Sequence, residues 1–422
     1  MNYRFLKLQT NELLYLRPFL ARHPEAKELS YRALVDLYVR ECHGWHLNYS
    51  PYLTQLGNEA DEICINFDVL QKQWARENGV NFDGRNWLKD IVAAQLHKFK
   101  PDVLLLDDLY FMDRDFRRFL RESCPTPVKI IGWRAAPTDD YSIFRDVDLM
   151  LTCTPLFVRQ MREHGVTAEL MLHAFEPSIL GMTDGLQRDI DLSFVGSIAL
   201  INGFHNERWE LLTRLLRSTD LQIWGEIIEP RQNSQMTHKL RWRINRVFDL
   251  IGAGEVAARV PYLTTNHRGP EATLAIGHYG DRIHPQVLAL EYFKVLAHSK
   301  LNINKHIDCA GDYAGNVRLF EATGMGACLI TDWKINLPEM FEPDAEIVTY
   351  RTPDECAEKV RYLLDHDSER QTIAASGQRR TLRDHTYAKR AEQLDGIIRA
   401  VLRGTGDHIA YSIGTLAVEG KV

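Results

Sequence analysis

The sequence predicts two α/β domains, each a parallel sheet covered by helices on both faces. Three observations predict this. The chain has 422 residues, 45% of them hydrophobic and 26% charged, which is globular in character and too long for one ordinary core. Short apolar, β-rich runs alternate with amphipathic helical patterns, and strand–helix–strand repeated in this way means a parallel sheet. The alternation then pauses over a polar, turn-prone stretch, 175–188, and restarts, placing a domain boundary near residue 185.

In the first half the strand candidates are 62–66, 102–107, 128–132, 148–152 and 168–172. Between them lie helical patterns over 87–99, 113–123 and 155–164. The run Ser50-Pro51 to Leu56-Gly57 reads as a short helix with a serine N-cap, proline at its first position and a glycine stop. The second half opens with a strand over 191–196, a helix over 205–217 and a strand over 221–224. The rhythm returns with helix 285–298, strand 300–304, helix 315–323, strands 327–330 and 346–349, and helical stretches ending near residue 402. The expected division is 1–185, 186–403 and a loose tail over 404–422.

Residues 232–279 break the rhythm and read as an insertion. Within it Lys239, Arg241, Arg243 and Arg246 interleave with Leu240, Trp242, Ile244, Val247 and Phe248, the pattern of a basic amphipathic helix. The stretch 239–250 suits peripheral contact with an anionic membrane or a phosphorylated lipid acceptor. The commoner reading of such a pattern is a solvated helix packing one side on its own domain.

A formal charge of −6 argues against nucleic acid as a partner, because backbone binding needs a basic excess. The seven cysteines are scattered with no C-x-x-C spacing, which fits reduced thiols in a cytoplasmic protein. The N-terminus lacks the apolar stretch of a signal peptide, and no apolar run is long enough to span a bilayer.

The most informative stretch runs from Asn302 to Asp332: a strand end, a glycine-containing polar loop, then a helix beginning near Gly315–Asn316. Ligands of open parallel sheets bind just beyond the strand carboxyl ends, where such loops converge. A helix N-terminus offers unpaired N–H groups to a diphosphate, and Arg318 in its first turn adds a bidentate grip. Glu321 lies three residues on, on the same face, with a carboxylate suited to the two hydroxyls of a ribose. The plain alternative is an ordinary αβ unit with a surface Arg/Glu ion pair.

The segment Asn316-Val-Arg-Leu-Phe-Glu-Ala-Thr-Gly-Met-Gly-Ala-Cys-Leu-Ile-Thr-Asp332 resembles the donor-site signature of bacterial group 1 glycosyltransferases, especially the CgeB-like branch. Lys100-Pro-Asp-Val-Leu104, Phe194-Val-Gly-Ser197, His205-Asn-Glu-Arg208 and Asp384-His-Thr-Tyr-Ala-Lys-Arg390 are similar to further parts of that pattern, so the resemblance covers roughly residues 50–400. It implies a GT-B architecture: two Rossmann-like domains facing a cleft, the acceptor in the first, the nucleotide sugar in the second, and a last helix crossing back. It also implies donor contacts from Gly196 and Ser197, and from His205, Arg208, Gly315, Asn316, Arg318 and Glu321. A glycine after a strand permits the close backbone approach this needs. Retaining relatives often carry a second glutamate eight positions before the one matching Glu321; here that residue is Tyr313, which leaves the stereochemical outcome open.

Other signals are weaker. Ile251-Gly-Ala-Gly-Glu-Val-Ala257 matches a dinucleotide fingerprint, but a basic helical pattern precedes it rather than a buried strand. The Asp-x-Asp pairs at 113/115, 146/148, 189/191 and 365/367 fall at apparent element ends, and no metal or other cofactor is expected. Trp133, Trp224 and His306 lie just past strands, where they suit stacking on a base or sugar, although core packing is the default for tryptophan. His173 precedes the inter-domain stretch as a cleft or hinge residue. A base for the acceptor hydroxyl belongs in the first domain, and His43, His46, Asp139 and Asp140 are the candidates.

The expected function is sugar transfer from a UDP-, GDP- or dTDP-sugar to a hydroxyl of a glycan, glycolipid or small molecule, in surface polysaccharide, glycolipid or natural-product glycoside assembly. The expected location is the cytoplasm or the inner membrane face. A nucleotide-sugar epimerase or a non-catalytic nucleotide-sugar-binding subunit would use the same architecture.

Overall fold

The structure is a computed structural model and describes residues 2–41, 49–200, 205–228 and 279–404. The basic stretch 239–250, the rest of the insertion before Tyr279, and residues 405–422 lie outside the described residues.

The first domain is a six-stranded, all-parallel sheet in the order β2-β1-β3-β4-β5-β6. Its strands are β1 (Arg4–Gln9), β2 (Glu59–Cys64), β3 (Val103–Leu106), β4 (Lys129–Trp133), β5 (Leu149–Thr152) and β6 (Ala168–Leu170). Helices α1 (Leu13–Arg22), α2 (Tyr31–Glu41), α3 (Ser50–Gln55), α4 (Asp68–Glu77), α5 (Trp87–Phe99), α6 (Arg114–Ser123) and α7 (Pro155–Glu163) accompany it. All four residues of β3 are buried, as expected of a strand covered on both faces. The expected alternation began near residue 60, so β1, which lies between β2 and β3, was missed. The serine expected to cap α3 is instead its first residue, with Tyr49 at the N-cap.

The second domain has its own six-stranded parallel sheet, β11-β9-β7-β12-β13-β14, and a two-stranded ribbon, β10-β8. These strands are β7 (Ile190–Val195), β8 (Ile198–Ala199), β9 (Gln222–Trp224), β10 (Ile227–Ile228), β11 (Ile283–His284), β12 (Ser299–Asn304), β13 (Cys328–Asp332) and β14 (Val348–Tyr350). The helices are α8 (Asn206–Ser218), α9 (Leu290–His298), α10 (Arg318–Gly324), α11 (Leu337–Met340), α12 (Pro353–Asp365), α13 (Asp367–Asp384) and α14 (Tyr387–Arg403). Helix α10 starts at Arg318 rather than at Gly315 or Asn316 and makes only about two turns.

Two crossings join the domains, and they meet. Phe175 N–H donates to His385 O at 2.8 Å and Tyr387 N–H donates to Phe175 O at 3.1 Å, so the outgoing and returning chains lie side by side. Beyond this point α14 packs Tyr387, Ala391, Leu394 and Ile398 into a first-domain cluster with Phe5, Tyr49, Leu53, Leu105 and Ile131. Burying each large apolar side chain stabilises by roughly 1.5–3 kcal/mol. Asp395 fixes the register, accepting from Tyr3 Oη at 2.8 Å and Asn58 Nδ2 at 2.9 Å. Leu288 and Ala289 of the second domain also join the cluster built by α1, α2 and α4 of the first.

Candidate donor site

The site lies at the carboxyl ends of β7 and β12. Strand β7 ends in buried Phe194 and Val195, and Gly196 follows with φ +151°. A Cβ there would meet Arg318 Nη2 at 2.2 Å, so only glycine allows the guanidinium to lie on this backbone. Gly225 is pressed on the same turn, its own missing Cβ 2.1 Å from Gly196 O, while Gly196 N–H donates to Trp224 O at 2.8 Å. Trp224 thus borders the site through its backbone, and its ring stacks on His284, centroids 4.4 Å apart.

Arg208 enters from the first turn of α8. Its Nη1 donates to Ser197 O at 2.9 Å and its Nη2 to Lys305 O at 2.8 Å, tying the β7 and β12 loops together. His205 lies against it, with Nδ1 accepting from Ala199 N–H at 2.8 Å. Burial, Arg208 and Arg318 push His205 down to about 3, so it is a neutral imidazole at pH 7. Burial and the charge of Arg318 push Arg208 down to about 9. Both guanidiniums face the Phe194 ring, at 5.0 Å for Arg318 and 5.7 Å for Arg208. Neither forms an ion pair among the described residues.

Asn304, fully buried at the end of β12, sets Arg318 and Asn316. Its Oδ1 accepts from Asn316 Nδ2 at 2.5 Å and from Arg318 Nη1 at 3.4 Å, and its Nδ2 donates to Thr331 Oγ1 at 2.9 Å. Gly315 is sealed against the first domain, where a Cβ would lie 2.5 Å from Cys153 O. Glu321 is 6% exposed, and its Oε2 accepts from Tyr292 Oη at 2.6 Å. Burial pushes it up to about 7 against the opposing effects of Tyr292 and Arg318. No Arg318–Glu321 ion pair forms, which removes the surface-pair alternative.

His306 departs from the expected stacking position. It is 1% exposed, and Asp332 Oδ1 accepts from its backbone N–H at 3.0 Å and lies 2.7 Å from its Nδ1. Lys305 and Lys334 pair with the same aspartate at 3.0 and 3.5 Å. Although burial opposes it, His306 first and then Lys305 and Lys334 hold the Asp332 carboxyl well below the usual carboxylate range. Asn304, Tyr292 and this lysine–aspartate cluster had no part in the sequence reading.

In the first domain Trp133 is buried and meets His173 edge-on at 5.3 Å, a packing role rather than a stacking platform. Asp139 and Asp140 are exposed beyond β4, and Asp140 caps a turn by accepting from Ser142 N–H at 2.9 Å. No contact joins either aspartate to the arginine cluster. His43 and His46 lie outside the described residues. Of the Asp-x-Asp residues, Asp113 caps α6, Asp146 pairs with Arg114, Asp148 with Arg121 and Lys129, Asp189 with His298, and Asp191 with Lys300.

Residues 208–396 match the family model described as Glycosyl transferase-like. No curated protein matches the sequence. Among solved structures, the Anabaena protein Alr3699/HepE in complex with UDP-glucose aligns over 94% of this chain and 100% of its own, with 9% identity and a TM-score of 0.53. A glycosyltransferase from Rickettsia africae aligns over 96% and 100%, with 8% identity and a TM-score of 0.52. AviGT4, a glycosyltransferase involved in avilamycin A biosynthesis, aligns over 95% and 98%, with 11% identity and a TM-score of 0.50. Likenesses spanning both domains at such low identity speak to architecture: the chain has the GT-B fold, and residues 208–396 of its second domain are similar to the glycosyl transferase-like family.

Proposed function

We propose that the protein transfers a sugar from a nucleoside diphosphate sugar to an acceptor hydroxyl, with no metal in the reaction. The observation that carries this reading is the pair of guanidiniums, Arg208 and Arg318, set on Phe194 beside the bare backbone of Gly196 with no ion-pair partner among the described residues. Like charges brought together in a buried place are unfavourable unless an anion completes them. A diphosphate does so, and its charge grows as the sugar leaves. The short helix α10 contributes little dipole, so the arginines carry the electrostatics. Arg318 holds the leaving diphosphate, Arg208 shapes the two loops around it, and Glu321 accepts the ribose hydroxyls. Gly315 seats the donor loop on the first domain, where closure excludes water from the reacting centre.

The motifs at 194–208, 316–332 and 384–390 support reading the enzyme as one of the CgeB-like branch of group 1 transferases. A hexose is the expected cargo, and surface polysaccharide, glycolipid or natural-product glycosides are the expected products. UDP-glucose in the HepE complex makes a uridine donor the first to try.

The test is a thermal-shift and calorimetric screen against UDP, GDP, ADP and TDP and their common sugars, with NAD(P) as control, since a specific ligand stabilises the fold by mass action. One diphosphate series should raise the melting midpoint. Silence across the panel would sink the reading. A response accompanied by interconversion of the nucleotide sugar without any acceptor would favour an epimerase.

A further inference from the structure

At the carboxyl edge of the first sheet, the loops after β3 and β4 face each other across a cavity of about 260 Å³. Tyr110, 58% exposed, lines it with Arg114, Ser142 and Arg145. The Arg134 guanidinium lies 4.7 Å from the centre of the Tyr110 ring, and its Nη2 donates to Tyr110 Oη at 3.2 Å and Pro137 O at 2.8 Å.

The walls are built rather than loose. Buried Arg117 donates to Leu109 O and Met112 O on one loop and to Ile143 O and Arg145 O on the other, pinning both. Arg114 is neutralised by Asp146 at 2.7 Å, and Asp113 is engaged in capping α6. Arg134 and Arg145 form no ion pair among the described residues, and Arg134 Nε is buried without an acceptor.

An exposed aromatic ring beside unpaired guanidiniums suits a polyhydroxylated ring carrying an anion. The sugar's C–H face lies on the tyrosine, while guanidinium forks match a carboxylate or phosphate. We propose that this cavity holds the acceptor, and that the acceptor is a sugar bearing a carboxylate or phosphate group. The proposal rests on the transferase reading above, which requires an acceptor in the first domain.

Calorimetry of the full chain, with and without nucleoside diphosphate, using glucose 6-phosphate, glucuronic acid and glucose as probes, tests it. Both sugar anions should bind at least about tenfold more tightly than glucose, and Arg134→Ala should remove about that factor while Arg134→Lys keeps part of it. Arg145→Ala, on the opposite loop and exposed, repeats the test should Arg134→Ala melt early. The tighter of the two anions names the group. Equal affinity for all three sugars, no binding of either anion, or anion binding unaffected by both alanine variants would overturn the proposal. The variants should keep wild-type nucleotide affinity. A wild-type chain that binds the sugar anions but no nucleoside diphosphate overturns the donor reading and leaves the anion pocket standing.

Discussion

Replacing Gly196 with alanine should disable the donor site without touching any charged group. The new methyl carbon would stand 2.2 Å from Arg318 Nη2. Ordinary contact is about 3.5 Å, so the guanidinium must retreat by more than about 1 Å. That takes it off the phosphate and off the Phe194 ring, now 5.0 Å away. A hydrogen bond to a charged group contributes about 1.5–3 kcal/mol, so the diphosphate Kd should rise about 10- to 150-fold. The backbone at φ +151° adds a folding cost of about 1–3 kcal/mol, measured separately by thermal melting. Calorimetry on Gly196→Ala, Arg318→Ala and the double variant separates the cause. Because the methyl acts through Arg318, the double variant should bind as Arg318→Ala does. Wild-type affinity in Gly196→Ala, or losses that add in full, would refute this reasoning.

Glu321→Gln should change how stability depends on pH. Burial pushes the Glu321 carboxyl up to about 7, so the fold holds its proton more tightly than the unfolded chain does; this stabilising contribution is whole below about 4.5, fades as pH rises and is gone above about 7. Melting curves of the glutamine variant should lack that decline, and identical pH profiles would contradict it. The same variant should lose the strengthening of nucleotide binding as pH rises through 7 that the proposed donation of ribose hydroxyls to the ionised carboxylate predicts. Asp332→Asn leaves Lys305 and His306 without their buried anion and should cost about 3–5 kcal/mol, seen in denaturant titration; an unchanged midpoint would show the cluster to be dispensable. Gly315→Val drives a side chain into Cys153 O, where the missing Cβ already lies at 2.5 Å, and should part the domains; small-angle scattering should record a larger radius, and an unchanged one would count against the seal.

The alternation of apolar runs and amphipathic stretches made both sheets legible, because strands buried on two faces leave a continuous hydrophobic trace such as Val103–Leu106. Strand β1 escaped because Lys7 stands in its middle and reads as a solvent-facing residue. Lys7 is fully buried, its charge met by Glu62 at 3.4 Å and Gln9 at 2.5 Å, and no local pattern announces partners on another strand. The site divided along similar lines. Arg318, Glu321 and Gly196 stand in spacings that carry chemistry, whereas Asn304 is one polar residue in a strand whose importance comes from neighbours brought up by folding. The late start of α10 was equally hidden: Gly315 and Asn316 suit a helix opening, but they are committed to the first domain and to Asn304 instead.

The return of α14 to the first domain bears on how the chain is made. A ribosome releases residues 1–185 long before residues 387–403, yet Leu394 and Ile398 belong to the same core as Phe5 and Leu105. Until residues 387–403 have been made, the first sheet has one face waiting for its cover, while the second domain can assemble from a continuous run of chain. The part synthesised first is therefore the part completed last, and a stop codon in the final helix would leave a finished second domain attached to an open first one.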